Sequence, residues 1–375
     1  MEKLNILKLN FDTKRIYGLD VLRAIAILFV VFEHSVSIMP PHIYSIINYF
    51  YLDGVVIFFV LSGFLIGTIL IKSIEKNGFN TSELLIFWTR RWFRTLPNYY
   101  LFLIILTILS KLIITGFPLR MVIPYVFFSQ NLFNGIERSF FGESWSLCVE
   151  EWFYLTIPLI IFLLIKPLKL SFQKSILFLS LAIIFSSILM RLSLYNYEII
   201  QELRDYTRIV VIRLDNIIYG VVGAYVSFYH KYFWQKHIKS SLIIGIFLII
   251  IWRYYSFNDP SQISFFRVNI YYPLLCVGIL LLLPFLSNYN VAKHNTITKF
   301  FTYISLISYS LYLIHNSLIR KLIIESLLFT SEDSTPQITF IKIAFYWSSS
   351  LIGALLIYKY FEIPTMKLRD KIKLK

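Results

Sequence analysis

The sequence predicts an all-α integral membrane protein: a single bundle of about ten transmembrane helices with both termini in the cytoplasm. Three observations predict it. Of 375 residues, 57% are hydrophobic and only 15% charged, whereas a soluble domain is nearer half apolar and about a quarter charged. The mean hydropathy is +0.69, and many apolar runs reach the about 20 residues a helix needs to cross a ~30 Å hydrocarbon core. Lys and Arg gather in alternate loops, as the positive-inside rule requires.

In chain order, the runs predict spans over 17–38, 46–71, 97–115, 146–165, 174–195, 208–228, 240–256, 270–287, 300–319 and 338–359. The basic segments are 1–16, 72–96, 166–174, 230–239, 288–299 and 367–375, and those between them are neutral or mixed. Residues 121–133 are apolar but short and contain Pro124. Spanning there would put Lys166, Lys169 and Lys174 outside, so the stretch reads as re-entrant or interfacial. Residues 1–16 and 360–375 read as short cytoplasmic tails around one domain, 1–375, with no soluble domain appended. The first apolar run contains Asp20, Arg23, Glu33 and His34, which a cleaved signal peptide does not need.

The net charge of +15 is the loop bias itself and not a nucleic-acid footprint. Cys148 and Cys276 lie in apolar runs and build neither a disulfide framework nor a metal site. His42, His230, His237 and His294 fall in loops without ligand spacing, so no metal is expected.

Charge inside a membrane costs about 2.5–3.5 kcal/mol per residue on insertion scales, so each instance is a candidate site, with interhelical pairing as the alternative. Arg23 and His34 are eleven residues apart, about 20° around a helix and ~16 Å along it. One face thus carries a cation towards the cytoplasm and an imidazole towards the outside, with Asp20 a turn from Arg23. In the second span, Ser62-Gly63 admits either a neighbouring backbone or a slender ligand. Arg90, Arg91 and Arg94, among Trp88, Trp92 and Phe93, suit the phosphates of a cytoplasmic cofactor, or anionic lipid headgroups. Glu150 and Glu151 follow Trp145 near the outer face, where a carboxylate can orient an imidazole, bind a sugar hydroxyl or pair with Arg213. Tyr309, Tyr312 and His315 recur at three-residue spacing, forming a sugar-binding face or an interfacial aromatic belt.

Seven motifs in order resemble the acyltransferase-3 family of membrane O-acyltransferases. They are Gly18-Leu19-Asp20 with Arg23 and His34, FFVLSGFLIG at 58–67, RRWFRTLPNYY at 90–100, WSLCVEEWFYL at 145–155, RLDNIIYG at 213–220, SYSLYLIH at 308–315 and FEIP at 361–364. Trp152 stands where many relatives have Gln. The resemblance implies transfer of an acyl group, usually acetyl, from acyl-coenzyme A to a hydroxyl of a surface or lipid-linked carbohydrate. It implies a multi-pass protein of the bacterial cytoplasmic membrane. On that reading His34 is the general base, oriented by Glu150 or Glu151. Arg23 attends the donor or the oxyanion. Arg90, Arg91 and Arg94 hold the coenzyme A phosphates, and Ser62 and Gly63 let the pantetheine arm pass. Trp145, Glu151, Tyr309, Tyr312 and His315 receive the sugar. The competing class is a transporter or flippase for an amphiphile, which buried charges also suit.

Overall fold

The computed structural model describes residues 15–133, 140–196, 207–259, 263–291, 295–329 and 335–369; His294 and the tail segments 1–14 and 370–375 lie outside them. Among the described residues every regular element is helical. In chain order these are α1 (Tyr17–His34), α2 (Pro41–Tyr49), α3 (Gly54–Asn77), α4 (Thr81–Ile113), α5 (Ile123–Val126), α6 (Ser144–Ile165), α7 (Phe172–Asn196), α8 (Val210–Tyr229), α9 (Lys231–Lys236), α10 (Ile238–Asn258), α11 (Tyr271–Leu286), α12 (Thr296–Ile314), α13 (Pro336–Ile357) and α14 (Ile363–Arg369). Three π-helical pieces, Phe266–Ile270, His315–Leu328 and Tyr358–Glu362, extend α11, α12 and α13.

All ten predicted spans coincide with long helices. Among the described residues, nine helices are long and apolar enough to cross a membrane. The tenth, α1, carries Asp20, Arg23 and Glu33 within 18 residues. Lipid would not tolerate that charge, and α1 is packed inside: Ala24, Ala26, Ile27, Val30 and Val31 are fully buried, with α3 and α12 against it.

One boundary differs instructively from expectation. α4 starts at Thr81, where the Asn80 side chain accepts from Glu83 N at 2.9 Å, so the arginine cluster lies on a helix and not in a loop. The helix continues through Pro97. The 121–133 stretch makes a 3-10 turn at Leu119–Val122 and the four-residue α5 and does not cross. Its Tyr125 and Phe128 are buried, and the Phe128 carbonyl accepts from the Trp152 indole at 2.8 Å.

α3 and α8 make the most extensive pair. At their crossing a methyl group on Gly63 would fall on the Ile217 carbonyl oxygen, and one on Gly220 on that of Val60. Only glycine permits this approach. Away from it, the fully buried Arg191 binds Asp215 at 2.5 Å, fastening α7 to α8.

Candidate active site

The bundle encloses a cavity of about 360 Å³ lined by α1, α3, α4, α6 and α12. Its walls fall into two zones. One is cationic: Arg15, Arg23, Arg91 and Arg94, with Asp20 and Glu150. The other is apolar and hydroxylic, with Val55, Phe58, Ser146 and Tyr312, and Ser62 and Tyr309 stand between the two.

The four cations are held differently. Arg15 forks onto Asp20, and Arg23 Nη1 reaches Asp20 Oδ1 at 3.1 Å and Ser305 Oγ at 3.1 Å. Asp20 therefore serves two guanidinium groups, one turn apart on α1 from Arg23. Arg91 Nη2 donates to the Tyr154 hydroxyl at 3.0 Å, and its guanidinium lies over that ring, 4.6 Å from the centroid. The same hydroxyl lies 2.7 Å from Ser62 Oγ and donates to Glu150 Oε2 at 2.7 Å. Arg94 makes no hydrogen bond among the described residues, and its side chain is exposed into the cavity it lines.

Helix geometry divides the three arginines of α4. At about 100° per residue, Arg90 and Arg91 point apart with Arg94 between them. The cavity takes Arg91 and Arg94; Arg90 is exposed and is not part of its wall.

At the far end stands Tyr312. Its hydroxyl donates to the Glu143 carbonyl at 2.7 Å and lies 2.6 Å from Ser146 Oγ, which therefore donates to it. Behind Tyr312, its ring centroid 6.0 Å away, is His315, whose Nε2 is 2.8 Å from His34 Nδ1. His34 is half-buried at the end of α1, while His315 is fully buried at the junction of α12 with its π-helical extension.

Several expected contacts resolve differently. Glu150 sits against Tyr154, and His315 occupies the place at His34. The reason is depth: Glu150 is four residues, about 6 Å, below Ser146, which is itself level with Tyr312. Glu151 faces α4, where Oε1 accepts from Thr95 Oγ1 at 2.6 Å. Tyr309 donates to the Thr95 carbonyl at 2.7 Å and lines the cavity. Tyr309, Tyr312 and His315 do share a face, but it points into the bundle, so His315 offers no surface to a sugar. Trp145 is flanked by Arg213 and Arg208, 5.5 and 5.9 Å from its ring, and stands edge-on to Phe59. Gly63 serves the α3–α8 crossing, not the cavity wall; Ser62 lines it. Arg213 lies 3.6 Å over the Tyr272 ring and does not pair with Glu150 or Glu151.

Two residues not singled out from the sequence are central. Tyr154 lies one turn after Glu150, an i,i+4 relation that was legible. Arg15 belonged to the basic leader and carried no distinguishing signal. Among the described residues, no group of three or more His, Cys, Asp or Glu side chains could hold a metal.

A polytopic helical bundle around a cationic, hydroxyl-lined cavity, whose wall includes Tyr312 but neither His34 nor His315, defines a membrane protein with an internal reaction or transport chamber. The acyltransferase family model described as "Acyltransferase domain" matches residues 16–359, and the chain belongs to this acyltransferase-3 family. A Staphylococcus aureus (strain COL) protein named "Putative O-acetyltransferase" is 27% identical over 288 residues, 72% of this chain and 40% of its own. The peptidoglycan O-acetyltransferase OatA of Listeria monocytogenes is 29% identical over 177 residues, 43% of this chain and 26% of its own. An uncharacterized Haemophilus influenzae protein is 30% identical over 190 residues, 47% of this chain and 74% of its own. The chain thus spans 40% of the length of the Staphylococcus relative. No solved structure matches.

Proposed function

We propose that this protein is a membrane O-acyltransferase that moves an acyl group, acetyl in the simplest case, from cytoplasmic acyl-coenzyme A to a hydroxyl of an extracytoplasmic or lipid-linked carbohydrate. The carrying observation is the single cavity with guanidinium groups in one zone and, in the other, a wall of which Tyr312 backs onto the His34–His315 pair. The loop charges favour the orientation in which the arginine zone opens to the cytoplasm of a bacterial cell.

Arg91 and Arg94, with Arg15, match the phosphate oxygens of coenzyme A. Arg23, tied to Asp20 and Ser305, lines the donor's route. The wall of Ser62, Phe58 and Tyr309 lies along the route a pantetheine arm would take from the arginines towards Tyr312. His34 then takes the proton of the acceptor hydroxyl as its oxygen attacks the thioester carbonyl. The C–O bond forms, the C–S bond breaks, and the departing thiolate recovers the proton from the imidazolium. No metal is needed for this balance.

The test is His34→Ala in a strain whose glycan O-acetylation is measurable as base-released acetate. Loss of acetate with normal protein level is expected; unchanged acetate sinks the assignment. Binding of coenzyme A to the purified protein separates this reading from a flippase, which has no use for that ligand.

A further inference from the structure

The hydrogen bonds around His315 determine where the protons of both imidazoles lie. His315 Nδ1 is 3.0 Å from the Leu311 carbonyl oxygen, one turn earlier on α12. A carbonyl oxygen only accepts, so Nδ1 carries a hydrogen. A neutral imidazole has one N–H, so His315 Nε2 is a bare lone pair. Nε2 is 2.8 Å from His34 Nδ1. For that contact to be a hydrogen bond, His34 Nδ1 must be the donor. His34 Nε2 is then left unprotonated, which is the state a general base requires.

The opposite arrangement needs a doubly protonated His315 donating to His34, which would place the His34 hydrogen on Nε2 and abolish its basicity there. Burial opposes it. His315 is fully buried, neither ring has a carboxylate hydrogen-bonded to it among the described residues, and Arg320 adds positive potential nearby. The backbone supports the same geometry, because helical pitch changes from α to π at Ile314–His315. Such changes recur at functional sites, where they re-aim a side chain.

We propose that His315 is a positioning residue that holds His34 in its Nδ1–H tautomer, with the His34 Nε2 lone pair free for the acceptor hydroxyl. The proposal rests on the reading of His34 as general base. When His34 Nε2 gains the hydroxyl proton, the resulting imidazolium keeps its Nδ1–H on His315, and that bond becomes charge-assisted. His315 itself neither gains nor loses a proton, and it never touches substrate.

The test uses the full chain in lipid nanodiscs, labelled with ring-15N histidine, together with acetate transfer to surface glycan in cells. In the wild type, two-bond 1H–15N correlations at alkaline pH are expected to show His34 as the Nδ1–H form; an Nε2–H form overturns the proposal without any variant. His315→Met removes the acceptor at similar bulk. It is expected to return His34 to a mixture of tautomers and to lower transfer by at least ~100-fold, within the range seen when a histidine loses its orienting partner. Coenzyme A binding should not change. His315→Gln presents an amide oxygen to His34 Nδ1 and is expected to recover at least ~10-fold of the loss. His315→Met with wild-type transfer and an unchanged His34 tautomer overturns the positioning role. The general-base reading fails separately, if His34→Ala transfers normally while the wild-type tautomer is still Nδ1–H.

Discussion

Arg94→Gln should weaken binding of coenzyme A by about 10- to 150-fold, and Arg90→Gln should leave it within about fivefold. The first range follows from a charge-assisted hydrogen bond to phosphate, about 1.5–3 kcal/mol, at about 1.4 kcal/mol per tenfold. The second follows from an exposed charge outside the cavity, worth about 0–1 kcal/mol and screened by salt. The two residues are a turn apart on α4 and carry the same charge, so the contrast tests position in the cavity wall and not the amount of charge. Arg94 is the better probe than Arg91. It makes no hydrogen bond among the described residues, so its loss disturbs little else, whereas Arg91 is held by Tyr154 and its removal would also release Glu150 and Ser62. The assay is calorimetric titration of nanodisc-embedded protein at two salt concentrations. The salt dependence should be shallower for Arg94→Gln than for the wild type, because one fewer phosphate contact is screened. Equal losses in the two variants, or none in Arg94→Gln, would refute placement of the phosphates in this cavity.

Two stability predictions concern the scaffold. Gly63→Ala should lower thermal stability in detergent by roughly 1–3 kcal/mol or more, because the added methyl meets the Ile217 backbone. Gly223→Ala meets chiefly the movable end of Leu280, so it should cost distinctly less; equal costs would argue against backbone contact as the cause. Asp215→Ala strands the buried Arg191 charge and should cost about 3–5 kcal/mol, while the double variant Arg191→Met with Asp215→Leu should recover most of it. A double variant less stable than the single one would show that the pair is itself a net source of stability.

The spans were legible because the bilayer imposes one length and one composition on every helix, and those are properties of a linear string. The first helix was legible for the opposite reason. Its Asp20, Arg23 and His34 violate the lipid rule, and a violation has to be compensated inside the protein. What the string does not carry is which neighbour compensates. Helical periodicity put Tyr309, Tyr312 and His315 on one face, and they are, but periodicity has no sign. The face turned inwards, and the same spacing that suited an open sugar platform builds a buried support for His34. Ser62-Gly63 shows the ambiguity within two residues: the serine faces the cavity and the glycine the α3–α8 crossing, because consecutive helical residues lie about 100° apart. Glu150 and His34 both lay towards the outer ends of their spans, yet a few residues of offset, about 6 Å, gave the place at His34 to His315. Hydropathy locates a residue in depth to about a turn, and hydrogen bonds discriminate at a fraction of that. Part of the cavity wall, Arg23, Arg91 and Arg94 among it, was therefore readable from the sequence, but the exclusion of Arg90 and Gly63, the place of Arg15 and the pairing within the wall were not.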